Sequence, residues 1–233
     1  MTHDEGDPEP MALQAETKDC TGLSDSELSD MADICADGFA GYDVGLLSKQ
    51  VEQWVLITQV RDGTKLVAFS FCTLERIGGT PSVLIGMASV KRTSRRDAVL
   101  RTLMGDQLRR AVLAFPDEDV LVGTRFLDPS GFAAFEGLED IVPRPGHKAS
   151  GEERAWGRRL AKRFGAEGRV DDRTFCITGT GDVPPALDHE CVDPTNLDPA
   201  VVAFFGDLDR PRGDSLIGFG WAMAEYLATR ARK

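Results

Sequence analysis

Between Val55 and Val90 the apolar residues stop recurring every three or four positions. They run instead as three β-rich stretches, VLITQV, KLVAFSFCTLERI and SVLIGMASV, separated by Asp62-Gly63 and by Gly78-Gly79-Thr80-Pro81. Turns this short join neighbouring antiparallel strands, so the middle of the chain reads as an antiparallel meander. A helical period follows at once. Leu100, Met104, Leu108, Ala111, Val112 and Phe115 share one face, Pro116 stands just beyond the end, and Val120 to Phe126 is strand-like again. A helix between two strands predicts a parallel crossover after Val90.

Helical patterns flank this centre. Ser24-Asp25-Ser26-Glu27 has the spacing of a capping box, and Leu28, Ala32, Cys35 and Phe39 follow on one face, with a second stripe at Val44, Leu47, Val51 and Trp54. Downstream, Pro129 to Leu138 reads as a short helix, Glu152 to Phe164 as a helix with Ala155, Trp156, Leu160 and Phe164 inward, and Arg173 to Thr178 as a strand. The order predicts an α/β fold with a mixed sheet over residues 11–180. Residues 1–10, MTHDEGDPEP, hold too little apolar surface to order and read as an acidic tail. Beyond Gly181 the chain is turn-rich, with Asp198-Pro199 opening one helix and Ser215 to Thr229 patterned as a last one. Residues 181–233 are therefore expected as a C-terminal extension packed on the core.

Composition narrows the function classes. Asp+Glu 38 against Lys+Arg 27 gives a formal charge of −11, which repels nucleic-acid backbones and anionic lipid, so neither is an expected partner. The five cysteines have no CxxC pair, which fits reduced thiols in a cytoplasm. No apolar run reaches membrane-spanning length, and the acidic start lacks the marks of a signal peptide. Asp188-His189-Glu190-Cys191 concentrates metal-ligand types, but adjacent residues cannot all converge on one ion, and no metal is expected. Cys72 and Cys176 lie in apolar runs, where a thiol is inert.

The most informative segment is the basic turn after Val90, where Lys91, Arg92, Arg95 and Arg96 place four cations in six residues of an acidic protein. A strand-to-helix turn presents backbone N–H groups and a positive helix end, which suit a pyrophosphate. Here the sequence resembles the GNAT acyltransferase superfamily. That family has a strand ending in Val, four residues, then an R/Q-x-x-G-x-G/A loop opening the coenzyme-binding helix. Val90 and Arg95 have this spacing, Ala98 and Leu100 occupy the glycine slots, Leu103 and Met104 match the apolar helix positions, and the element order matches over roughly residues 11–178.

The resemblance implies a GNAT-like acyl-CoA N-acyltransferase fold with acetyl-CoA or another acyl-CoA as co-substrate. Val90, Arg92, Arg95, Arg96, Ala98 and Val99 would then border the pyrophosphate. A small amine would enter between the splayed fourth and fifth strands, with a backbone N–H on the Val83 to Val90 strand holding the oxyanion. Glu75, Arg125, Asp128, Phe135 and His147 are the candidate cleft residues. A second copy of the chain is a candidate partner. The chain departs from the pattern in three places. Ala98 and Leu100 replace loop glycines, Phe135 stands where relatives use a Tyr as general acid, and the Val83 to Val90 strand holds no carboxylate base. No catalytic residue is assigned. The leading expectation is a divergent acyl-CoA-dependent N-acyltransferase acting on a small amine or amino group; the departures favour its first alternative, a catalytically inactive module binding a metabolite or a protein partner, and a scaffold turned to other small-molecule biosynthetic chemistry is a third.

Overall fold

The computed structural model describes residues 12–230, so the expected acidic tail lies outside the described residues. Its framework is one mixed sheet. Strands β1 (Leu13–Asp19), β2 (Leu56–Asp62), β3 (Lys65–Ile77) and β4 (Thr80–Val90) are antiparallel neighbours in sequence order, as the short turns require. Helix α3 (Arg96–Ala114) then crosses over and returns the chain as β5 (Val120–Phe126), parallel to β4. The full order is β1-β2-β3-β4-β8-β5-β9-β6, where β6 is Glu139–Val142, β8 Leu187–Asp188 and β9 Ser215–Ala222, with β7 (Cys176–Ile177) pairing β9.

Helices cover both faces. On one side α1 (Asp25–Cys35), α2 (Val44–Gln53) and α4 (Gly151–Arg163) enclose a cluster that includes Met31, Leu47, Phe69, Phe71, Leu121 and Leu160. On the other, α3 sets Val99, Leu100, Leu103, Met104 and Leu108 against Val60, Val83, Ile85 and Val122. Each such side chain contributes about 1.5–3 kcal/mol when fully buried. The Ser24 capping box forms as the spacing predicts, and Ser150 with Glu153 makes a second one at the start of α4.

Some local expectations are corrected. Helix α1 ends at Cys35, leaving Phe39 exposed, and its buried stripe is Leu28, Met31, Ile34 and Cys35. In α2 the buried side chains are Leu47 and Gln50, with Val44 exposed. The strand expected over Arg173 to Thr178 shrinks to Cys176–Ile177, and Pro129–Phe135 is a tight 3-10 turn. The largest correction is at the C-terminus. Ser215–Ala222 is strand β9, buried along nearly all its length, and only Ala224–Arg230 is helical (α6). The segment past Gly181 is built into the sheet, since β8 (Leu187–Asp188) lies between β4 and β5 while β9 pairs β5 antiparallel from Phe126↔Leu216 to Val120↔Ala222. The remaining elements are β6 (Glu139–Val142), which pairs β9, and a short α5 (Pro199–Val202).

Candidate functional site

The parallel pairing of β4 and β5 runs only from Ser82↔Leu121 to Ile85↔Thr124. Beyond it the strands diverge, and Gly86 sits where the β3–β4 register shifts, between Ile85 and Met87. The bulge sits against Trp54, for a Cβ on Gly86 would overlap the indole ring. This opening is where the resemblance places substrate entry. The chain fills it itself, because β8 pairs Ala88 and Ser89 on one side and Phe126 on the other. The Ala88 N–H on the open edge of β4 donates to the Ala186 carbonyl at 3.1 Å.

The basic turn is engaged by the same segment. Arg92 donates to the Asp188 carboxylate at 2.5 Å and lies 3.5 Å from Glu190, with the Asp188 side chain wholly buried. Arg96 donates to the carbonyls of Glu190 and Cys191 at 2.6 and 2.8 Å. Arg95 turns the other way and pairs with Asp62 at 2.7 Å. Asp97, in the first turn of α3, accepts from the Val192 N–H at 3.2 Å and faces His189 at 3.1 Å. Val90 and Val99 are core residues and Ala98 is half-buried. The expected pyrophosphate cradle is thus capped by residues 188–192, and β8 occupies the space between β4 and β5.

On the α2 and α4 face a separate pocket of about 560 Å³ opens beside the bulge, lined by Trp54, Gly86, Arg125, Phe164 and Arg169 among others. Arg125 is 4% exposed and donates to the Pro185 carbonyl, and its guanidinium lies 5.6 Å from the Phe164 ring centre. Burial, opposed by Tyr42 and aided by the nearby Arg169, lowers its pKa to about 10. It remains charged at neutral pH.

The five cleft candidates do not converge. Arg125 lies in this pocket, and Glu75 reaches its wall only through Arg163, whose Nε donates to it at 2.8 Å. Asp128 caps the Pro129–Phe135 turn and pairs with Arg210 at 3.1 Å. Phe135 is a buried core residue on the α3 face, edge-on to Phe126 at 5.0 Å. His147 is exposed, sits 2.9 Å from Glu153 and lines another cavity. Sequence reasoning missed Arg169, Trp54 and the partnership of residues 188–191 with the basic turn. The last had a signal, since an acidic segment, Asp188 with Glu190, stands in a chain with one dense cationic turn. Cys20, Cys35 and Cys72 are buried thiols whose burial pushes them up to about 12.

No protein-family model matches the chain, and no curated protein does. Among solved structures it is similar to the ribosomal-protein-S18-alanine N-acetyltransferase from Escherichia coli, with 12% identity, a TM-score of 0.43, and coverage of 90% of this chain and 95% of that one. It is also similar to an IAA acetyltransferase from Bacillus cereus ATCC 14579, with 9% identity, a TM-score of 0.44, and coverage of 91% and 100%. For an acyl-CoA N-acyltransferase from Pseudomonas aeruginosa the values are 16%, 0.41, 59% and 93%. No helix among the described residues is long and apolar enough to cross a membrane.

Proposed function

We propose that the chain is a divergent GNAT-like scaffold that acts as a small-ligand-binding module, its coenzyme opening closed by its own strand β8. One observation carries this reading: the elements that an acyl-CoA would need, the edge of β4, Arg92 and Arg96, are all taken by residues 186–191. The replaced glycines and the absent Tyr at Phe135 point the same way. Its five free cysteines favour a reducing, cytoplasmic setting, and its charge of −11 disfavours nucleic acid.

A second reading is an acyl-CoA-dependent N-acyltransferase acting on a small amine, in which β8 leaves the opening. The brevity of β8, two residues, favours it. Thermal unfolding with and without millimolar acetyl-CoA, beside release of free CoA thiol over a panel of amines, separates the two. A closed module shows no midpoint shift and no thiol release. A rise of several degrees that disappears in an Arg95→Ala, Arg96→Ala double variant would make β8 a displaceable gate, and thiol release with an amine beside it would make the chain an acyltransferase.

A further inference from the structure

Arg125 is a buried cation that meets no carboxylate among the described residues. Its one hydrogen bond is to the neutral Pro185 carbonyl, and its Nε is buried without any partner. Tyr42, the group that favours its charge most, is itself held neutral by burial. The neighbouring Arg169, half-exposed at the pocket, likewise meets no carboxylate among the described residues, donating to the carbonyls of Thr178 and Gly165 at 2.9 and 3.1 Å. Taking a guanidinium out of water without a counterion is unfavourable, and two side by side repel each other. Lys49 and Lys162 add positive charge to the lining, against one carboxylate, that of Asp182. In a protein of charge −11, this is a local reversal of sign around a cavity of about 560 Å³, a size suited to a small organic ligand.

We propose that this pocket binds a small organic oxyanion, a carboxylate or a phosphate, seated on Arg125 and Arg169 with its body against Trp54 and Phe164. The fork of a guanidinium matches either group in two parallel hydrogen bonds, and Arg125 spends only one of its hydrogen-bond donors within the fold, on the Pro185 carbonyl. The aromatic walls accept an apolar or ring-bearing remainder. The proposal rests on the reading of the chain as a binding module and gives that module its ligand class. The acetyl-CoA experiment reads the β4–β5 opening, whereas the experiment below reads the pocket at Arg125, so each can fail without the other.

The test is thermal unfolding in inorganic phosphate and in succinate, against sodium chloride matched for ionic strength. It uses the full chain and the variants Arg125→Gln, Arg169→Gln and Arg158→Gln. At about ten times the dissociation constant a bound anion raises the midpoint by roughly 3–6 °C. Arg125→Gln should abolish the rise while remaining folded by circular dichroism. Arg169→Gln should weaken it about tenfold in concentration, and Arg158→Gln, on a surface pair with Asp172, should leave it intact. A response to phosphate alone or to succinate alone fixes which oxyanion is bound. General salting effects stabilise every variant alike, so a rise of equal size in Arg125→Gln, or none above chloride, overturns the proposal. Should Arg125→Gln fail to fold, Arg169→Gln decides, because its half-exposed side chain is dispensable to the core.

Discussion

His189 has no exposed surface and meets a single carboxylate, Asp97, at 3.1 Å, with the guanidiniums of Arg92 and Arg96 close by. Burial, against the pull of Asp97 and with the help of the two arginines, lowers its pKa to about 4. The ring is neutral in the fold at pH 7. From pH 6.5 down to about 4 the unfolded chain therefore binds a proton that the folded chain does not, and stability falls with acid across that window. The slope is at most about 1.4 kcal/mol per pH unit. The depressed carboxylates of Glu27 and Glu153 act lower, because unfolded carboxylates titrate near 4. A midpoint series should thus fall already between pH 6.5 and 5.5, and His189→Gln should flatten that part of the curve. An unchanged slope in the variant would place the sensitivity elsewhere. This residue was legible in sequence only as one of four adjacent ligand types, since its role depends on β8 lying across the start of α3.

At the scale of elements, β8 is held less by its ladder than by the buried pair of Asp188 and Arg92, whose side chains are 0% and 12% exposed. Removing Asp188 leaves the largely buried Arg92 with only the more exposed Glu190 at 3.5 Å, which costs up to about 3–5 kcal/mol, whereas replacing both by apolar residues is often close to neutral. Asp188→Ala should lower stability by that amount in denaturant unfolding, and Asp188→Leu with Arg92→Met should recover most of it. If the single and double variants are equally unstable, the pair is not what seats the strand. The same element explains where sequence reading stopped. Strands β3 and β5 were legible to the residue because long β-branched and aromatic runs bounded by turns admit no other reading. A two-residue strand has no period, and its place follows from a gap between β4 and β5 whose edges, Ala88 and Phe126, lie far earlier in the chain. Strand β9 failed for a different reason. Leu216, Phe219, Met223 and Leu227 fall at helical spacing, while SLIGFGWA is buried on both faces and so lacks the alternation of a half-exposed strand. Its Gly218 is required by close packing, since a Cβ there would overlap Phe126.

For the molecule as a whole, the position of β9 decides whether the last fifty residues are an appendage or part of the folding unit. It covers β5 along seven register pairs, and its Leu216, Ile217, Phe219 and Ala222 are buried in the two clusters that lie on opposite faces of the sheet. It also carries β6 and β7, so three strands lose their ladder partner if it is removed. A chain ending at Gly181 would expose β5, all seven of whose residues are buried, as an open edge, and it would lose β8 from the opening beside it. An uncovered apolar edge of that length templates association with other chains. The truncated chain should therefore lack a cooperative thermal transition and aggregate when expressed, while the full chain unfolds in one step because no part of its sheet closes without the C-terminal strand. A soluble 1–181 fragment with its own sharp transition would show instead that residues 182–233 dock onto an already complete domain. In that event the closure of the β4–β5 opening becomes a docking equilibrium, and acetyl-CoA binding by the fragment but not by the full chain is its direct readout.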